Sequence, residues 1–466
     1  FLQLDCPVVI AAIFVSGIGG TFQYGFSISV MTSPSDFIKE LVNRTCLQRY
    51  SVALEQWQVS LIWSFTVSIF CIGGLLGSLV AGRLISKYGK QCLLLNNFVA
   101  IFGAVLMLLS RKAMSFEMIM VGRFLYGINS VSLSAHTVYL VECAPKRLRG
   151  MVGVTVATFI SLGKFSGQLL GISELLGTEQ RWPWLLGFNG FTALLQLTTL
   201  PFLPESPRFL LLDRGDRLAC DKLKRLWGNK DYSTEVEEMM KEKAAMQSVH
   251  NHSVMELIQN RTVRWQLLTI IVYFTTLQLC GINAVYFYSF DVFRAAGIQE
   301  QQLRYTALGT GLCELSTSVA CIIESMGKKV LLFRGYMGMS ATLVLLTITV
   351  YLQVSWMPYC SMVLIFLFIF FFSSGPGVTA PLPGEIFTQS FKSAGYTIAC
   401  TINWTGLFVL GMLFPIIEYL DYFCFLIFLI FCTTCGLYVR FNVPETKNRT
   451  ALEIAAEFER MHCKSG

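Results

Sequence analysis

Two side-chain amides interrupt an apolar stretch of the chain between about residues 270 and 290. Gln278 and Asn283 lie there on either side of Gly281, and the aromatic rings of residues 286–288 follow. An amide supplies paired hydrogen-bond donors and acceptors, and aromatic rings cover the apolar face of a sugar. A glycine also weakens a helix and lets it bend or open. The stretch therefore indicates a site for a neutral polyol, and helix packing is the alternative interpretation of the same amides.

The composition places this stretch in a lipid bilayer. Of the 466 residues, 54% are hydrophobic and 14% are charged, whereas about a quarter of a soluble domain is charged. The mean hydropathy is +0.58, and the apolar residues form blocks of about 20, which is enough to span a bilayer as a helix. We expect an all-α, multi-pass integral membrane protein, in which Gln278 and Asn283 face protein or water rather than lipid.

Twelve apolar segments predict twelve transmembrane helices, which begin near residues 7, 58, 92, 117, 150, 182, 264, 303, 329, 359, 393 and 421. Basic residues cluster in the short loops after the second, fourth and eighth segments, and the positive-inside rule places such loops in the cytosol. Both termini are then cytosolic. Asn43, in an Asn-Arg-Thr motif after the first segment, is an expected glycosylation site on the outer side, and the plasma membrane is the expected location.

A polar stretch divides the chain into two halves. Residues 206–262 are expected to form cytosolic amphipathic helices between an N-terminal bundle, 1–205, and a C-terminal bundle, 263–445, with a cytosolic tail at 446–466. Motifs that combine a carboxylate and a cation recur at matching segment ends of the two halves. We therefore predict two pseudo-symmetric bundles of six helices, and two such bundles moving about a central site are what alternating access requires.

Charge and cysteine usage exclude several functional classes. The net charge of +7 comes from basic residues scattered over short loops, so no nucleic-acid partner is expected. Most of the 15 cysteines lie in apolar segments without a metal-ligand spacing, so neither a metal site nor a disulfide framework is predicted. No phosphate-binding loop motif is present. We expect no cofactor, no ATP-driven pumping and no enzyme activity.

Several longer motifs resemble those of the facilitative hexose transporters, the sugar-porter branch of the major facilitator superfamily. They are Gly122-Arg123, Glu142 to Gly150, PESPR at 204–208, QLCGINAVYFY at 278–288, GPG at 375–377, Asn403-Trp404 and PETKNRT at 444–450. The resemblance extends over essentially the whole chain. Residues 22–25 and the GTG-x-x-E of 309–314 are most similar to class II, the fructose-transporter-like group. The resemblance implies the major facilitator fold and facilitative uniport of a hexose, fructose or glucose, by alternating access.

The resemblance also implies roles for individual residues. The implied sugar-binding residues are Tyr24, Gln278, Asn283, Asn403 and Trp404. A network of charges at the cytosolic helix ends would gate the cavity. Its members, from the repeated motifs and the resemblance together, are Arg123, Glu142, Arg149, Glu205, Arg208, Glu324, Glu385, Lys392 and Glu445.

The chain departs from the family pattern at several sugar contacts. Leu277 and Ala157 replace two of the family's glutamines, and the tryptophan expected after GPG is missing. Two charges lie inside apolar segments instead. Lys164 is seven residues after Ala157 and hence on the same helical face, and Glu314 lies in the eighth segment. Charges within a membrane usually mark a pathway or a pair.

Lys164 and Glu314 are therefore added to the expected substrate-binding residues. They are expected to face the cavity, where they pair with each other or where Lys164 attracts an anion. The alternative is that Lys164 extends to an interface while Glu314 is protonated or hydrogen-bonded in the packing.

Three functional alternatives stay open. Ser27 occupies the position that is aspartate in proton-coupled sugar porters, which favours uniport, although Glu314 leaves proton coupling possible. The lost sugar contacts and Lys164 keep open the uniport of an organic anion such as urate. A non-transporting sugar receptor on the same scaffold is the third. The expected partners are a small-molecule substrate and the lipid bilayer, and the oligomeric state is undetermined.

Overall fold

Helices make up all the regular secondary structure in the part of the chain that the computed structural model describes. That part comprises residues 7–129, 136–137, 139–140, 143, 149–204, 233–248, 250–321, 328–352, 354–376, 386–417, 423–445, 449 and 451–463.

The α-helices with described bounds before residue 205 are α1 (Pro7–Gly19), α2 (Thr21–Ser29), α3 (Ser35–Tyr50), α4 (Gln56–Tyr88), α5 (Lys90–Leu109), α6 (Phe116–Ile128), α7 (Arg149–Leu170), α8 (Trp182–Leu186) and α9 (Phe188–Thr199). Those that follow are α10 (Ser233–Ser248), α11 (Val254–Gln259), α12 (Arg264–Leu279), α13 (Ile282–Phe287), α14 (Ser289–Ala295), α15 (Leu303–Cys321), α16 (Lys328–Leu352), α17 (Met357–Ser374), α18 (Gln389–Ile417), α19 (Cys424–Asn442) and α20 (Ala451–Cys463).

Eight helical segments among the described residues are long and apolar enough to cross a membrane. They are Pro7–Ser29, Gln56–Leu84, Gln91–Leu109, Arg264–Phe287, Lys329–Leu352, Met357–Ser374, Ser390–Ile417 and Cys424–Asn442. The four remaining expected spans, near residues 117, 150, 182 and 303, begin with or contain α6, α7, α8–α9 and α15. A helix is thus found at each of the twelve expected positions.

The chain forms two compact units. The first comprises Phe1–Val59, Ile69–Leu170 and Glu174–Val249, and the second comprises Ser60–Ser68, Gly171–Ser173 and His250–Gly466. Of the expected cytosolic linker, α10 belongs to the first unit and α11 to the second. The boundaries predicted at 205, 262 and 445 stay predictions.

In the first unit, glycines bring α2 and α7 into backbone contact. A Cβ added at Gly163 would overlap the carbonyl oxygen of Phe22, and one added at Gly25 would overlap the carbonyl oxygen of Ile160. Small residues are the usual means by which membrane helices approach closely, because lipid offers no hydrophobic drive for their association. This close approach brings Lys164, next to Gly163, against α2.

In the second unit, aromatic rings fill the space between helices. Tyr288 stacks on Phe414 of α18 at 5.2 Å between ring centroids, and Phe414 stacks on Phe428 of α19 at 6.3 Å. Each of the three rings is buried. The stack fixes the segment that begins at Gly281 between α18 and α19.

The glycine contact predicts a difference between two alanine substitutions. Gly163→Ala forces α2 and α7 apart and should lower the thermal unfolding midpoint in detergent, at a cost of about 1–3 kcal/mol. Gly82→Ala is the control, because a Cβ there meets nothing within 4 Å and alanine is the better helix former by about 1 kcal/mol. Equal midpoints for the two variants would contradict the packing described.

Candidate functional site

The central feature of the second unit is a break in the helix at Gly281. Helix α12 ends at Leu279 and α13 begins at Ile282, while Gly281 has φ of 96° in the left-handed region. A side chain is excluded there twice over. A left-handed backbone disfavours residues with a Cβ, and a Cβ would lie 2.7 Å from Cδ2 of Phe428.

Three amides meet at this break and form what we call the amide relay, Asn283, Gln278 and Asn403. Asn283 Nδ2 donates to Gln278 Oε1 at 2.5 Å, and Gln278 Nε2 donates in turn to Asn403 Oδ1 on α18. Gln278 is 3% exposed and Asn283 is 6% exposed. Each amide has two N–H donors and an oxygen with two lone pairs, so these bonds use only part of their capacity.

Gln278, Asn283 and Asn403 are all among the expected sugar-binding residues, and the structure shows which of their atoms meet. That they bind a sugar stays a prediction. Trp404 follows Asn403 on α18 and is buried. The relay joins the broken helix to α18 through side chains alone, so it can open without loss of a backbone hydrogen bond.

The aromatic rings after the break tie α13 to its neighbours. The Tyr286 hydroxyl donates to the carboxylate of Glu314 and lies 3.4 Å from the carbonyl oxygen of Thr310, both on α15. The Tyr288 hydroxyl donates to the carbonyl oxygen of Gly411 on α18 at 2.6 Å. These rings therefore act in the packing of α13, α15 and α18.

Glu314 has a hydrogen-bond partner within its own unit. Its side chain is 5% exposed and accepts the hydrogen bond from Tyr286. The packing alternative predicts a hydrogen-bonded carboxyl group of this kind. The expectation that Glu314 also contacts the substrate stays a prediction.

Lys164 and Tyr24 belong to the first unit. Lys164 lies on α7 and is 5% exposed, and its backbone nitrogen is 3.1 Å from a Cβ built on Gly25. Tyr24, on α2, is half-buried with its ring 6.2 Å from that of Phe70. A lysine buried at the α2–α7 contact is an unusual cation for a membrane helix, which keeps it a candidate site residue.

Arg123 is fully buried in a polar cluster of the first unit. Its guanidinium donates to the carbonyl oxygen of Ser27 and lies 4.6 Å from the centre of the Phe70 ring. Asn189 Nδ2 donates to the Ser27 hydroxyl at 3.0 Å. Arg123 therefore holds α2 and α4 to α6, whatever further part it has in the expected charge network.

A second set of buried amides was missed by the sequence analysis. Asn96 Nδ2 donates to the carbonyl oxygen of Asn129 at 3.0 Å, Asn129 Nδ2 donates to Gln23 Oε1, and Gln23 Nε2 donates to Thr192 Oγ1 at 3.0 Å. This chain of bonds crosses α2, α5, α9 and the end of α6. The available signal was the presence of amides inside apolar segments, which also identified Gln278.

Most of the expected charge network lies outside the described part of the chain. This holds for Glu142, Glu205, Arg208, Glu324 and Glu385, and for the side chain of Arg149. Lys392, in the first turn of α18, and Glu445, after α19, are half-buried.

The expected glycosylation site, Asn43, is exposed on α3. Two residues later, the buried Thr45 donates its hydroxyl to the carbonyl oxygen of Met114 at 3.1 Å.

Comparison with known proteins places this architecture in a family. The model of the family described as Sugar (and other) transporter matches residues 12–458. The chain belongs to this family of transporters. The chain is 42% identical to the mouse protein named solute carrier family 2, facilitated glucose transporter member 9, over 97% of this chain and 85% of that protein.

Other relatives in the same family are similarly close. The human facilitated glucose transporter member 11 is 42% identical over 98% of this chain and 94% of that protein, and the bovine member 5 is 39% identical over 98% and 93%. The resemblance to the class II facilitative hexose transporters is thereby confirmed.

Solved structures confirm the fold. The E. coli xylose transporter XylE in its inward open conformation gives a TM-score of 0.78 at 20% identity, with 96% of this chain and 99% of that chain covered. XylE bound to 6-bromo-6-deoxy-D-glucose gives 0.77 at 19% identity, with 97% and 99% covered. The expected fold of twelve helices in two six-helix bundles, the major facilitator fold, is correct, and the chain is an integral multi-pass membrane protein.

The amide relay predicts that the losses of stability caused by two substitutions within it are not additive. Gln278→Leu leaves Asn283 Nδ2 and Asn403 Oδ1 without their partner, and Asn403→Leu leaves Gln278 Nε2 without its acceptor. Each should cost about 1–3 kcal/mol of stability, and the double variant should lose less than the sum by about 0.5–3 kcal/mol. Thermal unfolding in detergent measures this, with Thr401→Val on the exposed face of α18 as the control. Additive losses would contradict the relay.

The bond between Tyr286 and Glu314 predicts a rescue. Tyr286→Phe removes the donor from a buried carboxyl group and should lower the thermal midpoint, at a cost of about 1–3 kcal/mol. Adding Glu314→Leu should restore part of the loss, because replacing both partners by apolar groups removes the unsatisfied atom. The control is Tyr359→Phe, whose ring is exposed on α17. No rescue in the double variant would mean that the bond does not stabilise the protein.

Proposed function

We propose that the chain is a facilitative transporter of a hexose, fructose, glucose or both, working as a uniporter by alternating access. The observation that carries the proposal is the amide relay, in which Gln278, Asn283 and Asn403 gather donors and acceptors at a break in a membrane helix. A hexose presents neighbouring hydroxyls that each donate and accept. The printed names of the relatives, facilitated glucose transporters, support the same substrate class.

The relay is suited to reversible binding. A hexose that enters exchanges amide–amide hydrogen bonds for amide–hydroxyl bonds, so the net gain from each bond is small, as it is when protein bonds replace bonds to water. The amides are already held in place by one another, which reduces the entropy lost on binding. We propose that Tyr24 and Trp404 complete the sugar site. A carrier needs such weak, selective contacts, because it must release the sugar on the other side.

The helix break supplies a place for movement. Helix α13 is six residues long and is bounded by Gly281 and by Tyr288, which has φ of −129° and ψ of 42°. Short segments between such points can absorb the backbone rotation that opens or closes a cavity.

We propose that the bundles at 1–205 and 263–445 move about the 206–262 linker. The proposed cytosolic gate consists of the charged residues Arg123, Glu142, Arg149, Glu205, Arg208, Glu324, Glu385, Lys392 and Glu445.

We propose that the protein lies in the plasma membrane with both termini in the cytosol. The positive charges of the short loops support this orientation. The exposure of Asn43 is compatible with a glycan on the outer side.

A second candidate function is uniport of an organic anion such as urate. The observation that favours it is Lys164, a cation 5% exposed in a membrane helix, since such charges commonly mark a transport pathway or an ion pair. The hexose proposal is preferred because the three amides of the relay support it, whereas the anion proposal rests on Lys164.

Tracer uptake into proteoliposomes tests the proposal. D-fructose, D-glucose and urate are compared at two pH values, with and without an imposed voltage, against liposomes that lack protein. Saturable hexose uptake that is insensitive to pH and voltage supports the uniporter. Uptake of urate that responds to voltage, without hexose flux, supports the anion carrier instead. Sugar binding without flux would identify a receptor, and hexose uptake driven by a pH gradient would identify proton coupling.

Lys164→Ile distinguishes the two substrates further. If Lys164 lines the pathway, the ratio of urate to hexose uptake should fall by about tenfold, which corresponds to about 1.4 kcal/mol, because only the anion loses a favourable charge. Lys112→Ile, in the exposed turn between α5 and α6, is the matched control. Unchanged uptake of every substrate would remove Lys164 from the proposed site.

A further inference from the structure

Two histidines and a glutamate come together where the linker meets the second unit. They are His250, His252 and Glu256, which we call the histidine cluster. His250 and His252 precede α11, and Glu256 lies in its first turn. Neither the proposed sugar site nor the proposed charge network includes these three residues.

The ligating atoms of the cluster converge on one point. His252 Nδ1 lies 2.7 Å from Glu256 Oε2, and His250 Nε2 lies 3.8 Å from the same oxygen. The two imidazole rings stand edge to face with their centroids 5.1 Å apart. All three ligating atoms lie within 4.8 Å of one another.

Contacts with α18 and α11 hold two of the three side chains in place. The backbone N–H of His252 donates to the carbonyl oxygen of Ser390 at 3.0 Å, and its ring stacks on Phe391 at 4.4 Å. The Ser253 hydroxyl caps α11 by accepting from the backbone N–H of Glu256 at 3.3 Å. His252 and Glu256 are thus preorganised, while the His250 side chain is 77% exposed and free to turn toward them.

We propose that His250, His252 and Glu256 form a binding site for a divalent transition-metal ion of the Zn²⁺ type, with water completing the coordination. Imidazole nitrogen and carboxylate oxygen are the ligands that such ions take in proteins. Bonds of about 2.0–2.2 Å in a tetrahedral arrangement separate neighbouring ligand atoms by about 3.3–3.5 Å. The observed separations of 2.7 and 3.8 Å lie on either side of that value, so small side-chain movements suffice.

A simple ion pair accounts for less of the geometry. It explains the 2.7 Å contact between His252 and Glu256. A metal ion also accounts for the imidazole of His250, whose Nε2 lies 3.8 Å from the same carboxylate oxygen.

A bound ion would join the linker to the first turn of α18. His252 already contacts Ser390 and Phe391 there, and the metal would add His250 and Glu256 to the same rigid unit. The expected result is slower local unfolding of residues 250–259 and of the first turn of α18. This inference does not depend on the proposed substrate, because it concerns metal binding by residues outside the sugar site.

Calorimetric titration of the purified, chelator-treated full-length protein with ZnCl₂ tests the site. His250→Ala, His252→Phe, which keeps an aromatic ring on Phe391, and Glu256→Gln should each weaken one Zn²⁺ site by about tenfold or more. His462→Ala, at a histidine that stacks on Trp265 instead, is the matched control and should titrate like the wild type. Free cysteines can also bind Zn²⁺, but they are the same in every variant, so any such binding contributes equally to each titration. Equal affinity and stoichiometry in the three cluster variants and the wild type would overturn the proposal.

Hydrogen exchange provides a second readout that is independent of transport. Zn²⁺ should slow exchange at residues 250–259 and 389–393 in the wild type and leave it unchanged in His250→Ala. Mg²⁺ at the same concentration should have no such effect, because it prefers an all-oxygen octahedral site. Slowing of exchange in His250→Ala equal to that in the wild type would contradict a role for the cluster.

Discussion

The hydrocarbon core of a lipid bilayer offers no water, so amides and charges inside the membrane are stabilised by partners within the protein or in a water-filled cavity. This requirement explains why polar side chains in both units occur in connected sets. In the second unit, Asn283, Gln278 and Asn403 share their hydrogen bonds. In the first, Asn96, Asn129 and Gln23 do the same. Because these amides bond to one another, a substrate hydroxyl can replace one amide partner by another hydrogen bond, and a transport site needs such exchange.

The glycine break determines where such an exchange can occur. Because Gly281 is left-handed and packed against Phe428, the helix ends and restarts there, and the side chains of Gln278 and Asn283 meet across the gap. An uninterrupted helix would place these two residues, five apart in sequence, on different faces, since one turn takes 3.6 residues. The backbone break and the amide relay are therefore one feature, and each depends on the other.

Local patterns in the sequence predicted the elements of the fold. Apolar blocks of bilayer length located the helices, and Gly281 between two amides located the break. The contacts between distant segments were harder to predict. The hydrogen bond that the Tyr286 hydroxyl donates to Glu314 joins residues 28 apart in sequence and was not predicted, while the expected pairing of Lys164 with Glu314 stays a prediction. Such pairings depend on helix rotation and packing, which residue type and spacing along one segment do not specify.

The histidine cluster shows a second limit of pattern reading. From the sequence, metal ligands were considered only among the cysteines, and His250, His252 and Glu256 were not predicted as a site. The spacing of His250, His252 and Glu256 can be read from the sequence. The orientation of the His252 ring cannot, because it depends on stacking against Phe391, far along the chain.

The central claim is that the amide relay binds the sugar. The most direct test is the thermal unfolding midpoint of the purified protein as a function of D-fructose or D-glucose concentration, in the wild type and in Asn403→Leu. A ligand that binds the folded state raises the midpoint by mass action. We predict a saturable rise in the wild type, and in the variant a rise that requires about tenfold more sugar or is absent. The same concentration dependence in both proteins would contradict the account.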